Sequence, residues 1–350
     1  MRRVLERVLH REDLSEEEAD RLLVHLTRTD LPPAWAGAIL AALRSKGETP
    51  RELRGFATAM RRLARRPAIP QHANLVDIVG TGGDGSGSLN LSTGSALLAA
   101  AAGLSVVKHG NRSVSSRSGS ADVLAALGVD PEIDDDTVSA LLDATGFTFL
   151  FAPLYHPAMA AVARVRRQLR TRTIFNVLGP LVNPAEPPFL LAGAYAPEAA
   201  ERMARALSGM GLERAFVVHG EPGWDEPTPV GPFLLFDVRP GRVSRREEDP
   251  ASYGIPRCRP EALAGGDAAE NAERLRAALG GERGPHRDAL VLGAALALRL
   301  TGRARGASEA ASAAAGAIED GRAAGLLSRL PEVVRARRWD DRRKAGGSRV

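Results

Sequence analysis

From Leu75 onward the chain alternates short apolar runs with alanine-rich stretches, and few architectures can bury that pattern. Apolar runs at 75–79, 105–107, 147–151, 190–194, 215–219 and 234–238 read as strands. Alanine-rich stretches at 93–102, 121–127, 268–279, 287–300 and 308–318 read as helices. This order predicts an α/β fold class: a mainly parallel central sheet covered by helices. The first seventy residues follow a different period. Ser15 with Glu18 spells a capping box, and Leu22, Leu23 and Leu26 then fall at helical spacing. Further helices are expected from Pro33 to just before Gly47, and from Thr49 or Pro50 to about Arg65. The expected organisation is a small N-terminal helical domain over 1–70, joined by a helical segment near 157–184, and a larger α/β catalytic domain over 71–330. The stretch 65–73, with Pro67 and Pro70, reads as the linker between them.

The net charge of +5 is concentrated at one end. Residues 331–350 hold seven Arg/Lys, among them Arg337, Arg338, Arg342, Arg343 and Lys344, against three Asp/Glu. This basic tail is expected to be disordered. No basic stripe interleaved with aromatics accompanies it, so nucleic acid is not an expected partner. No apolar run approaches the roughly 20 residues that cross a bilayer, and the first twenty residues carry no signal-like segment. The single cysteine, Cys258, can form neither an internal disulfide nor a cysteine-built metal site. These features place the expected protein in the cytoplasm and exclude membrane-spanning and secreted classes.

Three clusters carry chemistry, each following an expected strand. The first is Gly80-Thr81-Gly82-Gly83-Asp84-Gly85-Ser86-Gly87, after which Asn90-Leu91-Ser92-Thr93 opens a helix. Exposed amides beside a helix N-terminus suit a phosphate, and an ordinary glycine turn into a capped helix is the alternative. The loop matches neither the dinucleotide fingerprint nor the P-loop, which ends in Gly-Lys-Ser/Thr. Asp84 inside it would repel phosphate unless it holds sugar hydroxyls, polar ligand groups or a metal. The second cluster runs from Lys108-His109-Gly110-Asn111-Arg112 through a serine-rich stretch to Ser118-Gly119-Ser120-Ala121-Asp122. Two glycines, several hydroxyls and adjacent cations make a donor-rich loop for polyphosphate oxygens, with a solvated basic loop as the alternative. Of 47 basic residues only Lys46, Lys108 and Lys344 are lysines, so Lys108 places a compact point charge where the chain otherwise uses arginine. The third cluster holds Asp225-Glu226 at a strand's C-terminal end. These adjacent carboxylates are candidate Mg²⁺ ligands or an acidic surface turn.

Taken together, the clusters resemble the anthranilate phosphoribosyltransferase family. The resemblance continues in Phe151-Ala152-Pro153-Leu154-Tyr155-His156-Pro157-Ala158, Arg172-Thr173-Ile174-Phe175-Asn176 and Leu178-Gly179-Pro180-Leu181, and spans about residues 1–330. It implies a nucleoside phosphorylase/phosphoribosyltransferase-like fold, with a helical domain that often dimerises. The implied activity is Mg²⁺-dependent transfer of phosphoribosyl from phosphoribosyl pyrophosphate to the amine of anthranilate, in tryptophan biosynthesis. By position, the resemblance assigns Gly80, Gly83, Asp84, Ser88, Asn90, Ser92, Thr93, Lys108 and Ser120 to phosphoribosyl pyrophosphate. It brings His109, Gly110, Arg112, Ser116 and His156 to the substrate site. Asn111 and Arg166 match positions that meet the aromatic acid, and with Lys108 form the implied catalytic set. Ser92, Asp225 and Glu226 match its Mg²⁺ ligands. The implied partners are these two substrates and a second copy of the chain; no membrane is implied.

Several positions depart from the family pattern: Ser88 for Thr, Arg117 for Lys, Arg170-Thr171 for Gly and an aliphatic residue, Pro227-Thr228-Pro229 after the acidic pair, and Gly293 for Asn. They leave open a paralogue that ribosylates another amino-aromatic acid. A non-catalytic nucleic-acid-binding relative is a further alternative.

Overall fold

The computed structural model describes residues 1–69, 74–113 and 117–346. Four helices come first: α1 (Arg2–Leu9), α2 (Glu16–Leu26), α3 (Pro33–Lys46) and α4 (Pro50–Leu63). Their starts follow local chemistry. Ser15 and Glu18 close a capping box on α2, and Thr49 with Glu52 closes the same box on α4, where Pro50 occupies the first turn. Glu52 is fully buried and takes a 2.9 Å ion pair from Lys46, joining the end of α3 to the start of α4.

The α/β part begins with β1 (Leu75–Gly80), α5 (Leu91–Ala101), β2 (Ser105–Gly110), α6 (Ser120–Ala126), α7 (Asp135–Thr145) and β3 (Phe147–Phe151). The chain then returns to the helical bundle through α8 (Ala152–Tyr155), α9 (Ala160–Leu169) and α10 (Phe175–Leu178). Val162, Val165, Ile174, Phe175, Val177 and Leu178 share one apolar cluster with Leu23, Leu43 and Phe56 of the first helices. The chain re-enters the sheet with β4 (Phe189–Gly193), α11 (Pro197–Leu207), β5 (Arg214–Gly220), β6 (Phe233–Arg239) and β7 (Arg242–Glu248). Helices α12 (Ala268–Leu279), α13 (Pro285–Leu300), α14 (Ala307–Glu319) and α15 (Arg322–Gly346) follow.

The seven strands lie in the order β3-β2-β1-β4-β5-β6-β7. The first five are mutually parallel; β6 and β7 return antiparallel. Side chains alternate between faces as the pleat requires. Phe189, Leu191, Phe216 and Val218 pack with α5 and α13 on one face, whereas Leu190, Ala192, Ala215 and Val217 join the cluster containing the helical bundle on the other. The chain builds outward from β1 to β3, then crosses to β4 on the other side of β1. The carboxyl ends of β1 and β4 therefore form a topological switch point, where open α/β sheets bind ligands.

Two expectations change. Strand β2 extends through Gly110, so Lys108 and His109 lie within the sheet; β3 holds this extension by pairing Phe149 with Lys108 and Leu150 with His109. The tail expected to be disordered from residue 331 is instead helical through Gly346. Leu326, Leu330 and Val334 recur every fourth residue and are buried, an apolar stripe that the charge count obscured.

Gly293 also acquires a reason. It faces Ser95 where α13 crosses α5, and a Cβ there would approach Ser95 Cβ to 2.7 Å. Gly293→Asn is therefore expected to cost about 1–3 kcal/mol of stability through overpacking, measurable by chemical denaturation.

Candidate active site

The glycine-rich loop leaves β1 with four glycines, Gly82, Gly83, Gly85 and Gly87, at φ between 60° and 77°. Only glycine adopts this left-handed run without strain, and successive turned amides make a concave anion seat. Asp84 orders the loop from within: its Oδ1 accepts the Ser86 N–H (3.0 Å) and hydroxyl (2.9 Å), while Oδ2 accepts the Asp225 N–H (3.2 Å). Ser88 joins Ser86 by a hydroxyl contact of 3.1 Å. The loop's end is braced by Leu89 N–H bonding Leu263 C=O and by Gly265 N–H bonding Gly87 C=O.

The segment after β5 folds back over the ends of β1 and β4. A Cβ on Gly80 would overlap the Asp225 carboxylate, and one on Gly193 would overlap the Asp225 backbone carbonyl. These two absent methyl groups let Asp225 reach the loop, where its Oδ2 accepts the Gly82 N–H at 2.6 Å. Glu226 Oε1 accepts the Ser92 N–H at 3.0 Å, at the start of α5. Within Pro227-Thr228-Pro229 buried Thr228 braces the segment: its hydroxyl donates to Glu221 C=O (3.1 Å) and accepts the Val230 N–H (3.2 Å).

Lys108 rises from β2 between these groups. Its Nζ donates to Ile78 C=O (2.6 Å) and Ser92 Oγ (3.3 Å). Burial pushes the ammonium pKa down, while Asp77, Glu226 and Asp225 pull it back up. Burial, reinforced by the Asp84 charge, raises Asp225 to about 7; burial and the Asp225 charge raise Glu226 well above the usual carboxylate range. Asp225 and Glu226 thus stand beside one ammonium, with Asp84 hydrogen-bonded to the Asp225 backbone, and because burial disfavours their ionised forms a hard divalent cation would stabilise those forms. Among the described residues no ready-made cage of three His, Cys, Asp or Glu side chains exists. That donor set fits Mg²⁺, which is commonly held by one or two carboxylates with substrate phosphates completing its shell.

The remaining expected residues divide between two places. Asn90 donates to Ser118 C=O (3.1 Å) and accepts from Asn271 (2.9 Å), while Thr93 is buried with its hydroxyl unpaired. Beyond β2, Asn111 C=O accepts the Ser120 hydroxyl (3.2 Å) and Ala121 N–H (3.2 Å), closing the loop that contains Arg112. A Cβ on Gly110 would overlap Ser120 Oγ. Arg112 itself turns outward to Asp122 and Glu132 and lies 5.5 Å from the Phe151 ring centroid. Ser116 lies outside the described residues.

His109 and His156 meet edge to face at 5.1 Å, each buried with Nε2 unpaired. Burial pushes His109 down to about 3, helped by His156, and His156 down to about 4. Arg166, on α9, stands 5.1 Å over the Phe175 ring and is partly desolvated; among the described residues it pairs with no carboxylate. Arg170 ends α9 at φ 47°, a left-handed position that glycine would occupy without strain. Nothing in the structure explains Thr171.

Residues absent from the sequence-based expectations complete the surroundings. Buried Asp77 receives the His109 N–H (3.3 Å) and Asn183 Nδ2 (2.9 Å), pinning β2 beneath the site. Asn271, 181 positions from Asn90, supports the start of α5. The Asp77–Asn183 and Asn90–Asn271 pairs span more than a hundred positions and have no local sequence signal. A cleft of about 980 Å³ lies elsewhere, between the helical bundle, α11 and the β6–β7 hairpin, and contains none of these groups.

The histidines generate a stability test. Their folded pKa values lie below the ordinary 6.5, so the unfolded state binds more protons and stability is lost as pH falls from about 6.5 towards 4. Denaturation of wild type and His156→Gln across that window should show the wild-type advantage shrinking as pH falls.

Residues 72–324 match the glycosyl transferase family, a/b domain, and residues 2–64 match its helical bundle domain. An anthranilate phosphoribosyltransferase of Pelotomaculum thermopropionicum is 45% identical over 95% of this chain and 96% of its own length. The crystal structure of anthranilate phosphoribosyltransferase from Thermus thermophilus superposes with a TM-score of 0.88 at 42% identity, covering 95% of this chain and 99% of that one. The Saccharomyces cerevisiae enzyme in complex with phosphoribosyl pyrophosphate and Mg superposes at 0.84 with 27% identity, covering 92% and 94%.

Proposed function

The chain belongs to the anthranilate phosphoribosyltransferase family, and from that premise we propose how its residues transfer the phosphoribosyl group of phosphoribosyl pyrophosphate to the amine of anthranilate. The observation that carries the reading is the joining of Asp225 and Glu226 to the glycine loop and the start of α5, with Lys108 beside them. The amides of the Gly80–Gly83 stretch, with Asp84, Ser88, Asn90, Ser92, Thr93 and Ser120, hold the donor. Ser92, Asp225 and Glu226 would hold Mg²⁺. When bound, the ion neutralises charge on the pyrophosphate.

Cleavage of the bond from C1′ to pyrophosphate leaves positive charge on the ribose ring and negative charge on the departing group. Lys108 and the loop amides stabilise that negative charge. Arg166 receives the anthranilate carboxylate, Asn111 orients the ring, and His109 with His156 shapes its apolar side. The aryl amine, neutral and already nucleophilic, attacks C1′ with inversion as the C1′–O bond to pyrophosphate breaks, and its surplus proton passes to the departing pyrophosphate or to water; positioning supplies the advantage, and no side chain is assigned as general base. The proposed setting is the cytoplasm, which the lone Cys258 suits, and the proposed assembly is a homodimer through the helical domain.

Loss of anthranilate fluorescence with phosphoribosyl pyrophosphate, with and without Mg²⁺, tests the reaction directly. Donor binding without turnover would point to another amino-aromatic acid as acceptor. Asp225→Asn combined with Glu226→Gln should remove most Mg²⁺-dependent turnover, and near-normal rates would remove the metal assignment. Arg166→Ala should raise the KM for anthranilate at least about tenfold, with a smaller effect on the donor KM; unchanged acceptor saturation would deny its carboxylate role.

A further inference from the structure

Arg172 lies in the short connection between α9 and α10, outside the residue set assigned to either substrate. Its Nη2 donates to the Gly83 carbonyl, and its guanidinium lies 3.9 Å from the centroid of the Tyr195 ring. Tyr195 is itself fixed to the start of the same loop: its N–H donates to Thr81 Oγ1 at 3.1 Å, while the Thr81 N–H donates to Gly193 C=O at 3.1 Å. Among the described residues no carboxylate pairs with Arg172. Its two polar and aromatic partners therefore both belong to the wall of the donor loop.

A trans peptide is planar, with its carbonyl and N–H pointing in opposite directions. Drawing the Gly83 carbonyl towards Arg172 therefore turns the Asp84 N–H away from it. Gly82 and Gly83, at φ 67° and 73°, impose little preference of their own on that peptide. A charge-assisted bond from a guanidinium held over an aromatic ring selects one orientation. We infer that Arg172 is a positioning residue for the donor: from the hinge after α9 it fixes the Gly83–Asp84 peptide so that the loop presents its amides to phosphate. This inference rests on the reading of the glycine loop as the phosphoribosyl pyrophosphate site.

The test uses the full-length chain with Arg172→Ala, Arg172→Lys and Tyr195→Phe, each checked for a wild-type melting temperature. Arg172→Ala should raise the KM for phosphoribosyl pyrophosphate about tenfold, the scale of one lost charge-assisted bond. The anthranilate KM and kcat should move by less than about threefold. Arg172→Lys, which keeps the charge but not the planar guanidinium, should fall between, and Tyr195→Phe, which keeps the ring, should match wild type. A folded Arg172→Ala enzyme with donor KM within twofold of wild type would overturn the inference, as would equal increases in both KM values. Should Arg172→Ala fail to fold, Tyr195→Ala provides the same comparison by removing the ring beneath the guanidinium. Calorimetric titration with phosphoribosyl pyrophosphate separates the two readings. Wild-type binding without turnover fails the proposed reaction while leaving Arg172 testable, and absence of wild-type binding overturns both.

Discussion

The arrangement depends on a close approach between backbones. The segment bearing Asp225 and Glu226 crosses the carboxyl ends of β1 and β4 at a separation that no Cβ would permit at Gly80 or Gly193. Gly220 contributes a third such position, since a side chain there would meet the Glu226 carbonyl. Once the segment is in place, its carboxylates accept amide hydrogens from the loop and from the start of α5. Those bonds partly offset the cost of burying two carboxyl groups, a cost visible in the raised pKa of both. The glycine loop, α5 and the strand after it consequently share one set of polar contacts.

Lys108 shows the same economy from the opposite sign. An ammonium within a parallel strand loses nearly all of its water, and the structure returns two oxygen acceptors and three neighbouring carboxylates. A loop-borne lysine would keep its hydration and its freedom. Strand pairing removes both, leaving the charge at a defined height above the sheet and therefore in a fixed relation to Ser92 and the acidic pair.

The alternation of strands and helices was legible because buried parallel strands and alanine-rich helices have distinct compositions. The three strand-end clusters were legible because glycine, hydroxyl and charged residues there are concentrated over a few positions. Elements governed by tertiary context were harder to see. β7, with its run of charged residues, lacks an apolar strand signature and pairs only because β6 precedes it in a hairpin. The Lys108 extension of β2 required β3 as a partner, and the stripe of α15 was hidden beneath a basic face. At the site, Arg166 was visible as a family match, but the contacts of Arg172 with Gly83 and Tyr195 emerged only when distant segments came together.

The apolar cluster of the first helices takes in side chains between Val162 and Val182, and others as far along as Val238, which the chain supplies only after building three strands of the sheet. A growing polypeptide therefore cannot finish its first structural unit when α4 leaves the ribosome. At ordinary elongation rates the wait is on the order of ten seconds. Throughout it, Leu23, Leu43 and Phe56 lack their final neighbours, so the helical unit and the first half of the sheet must mature together.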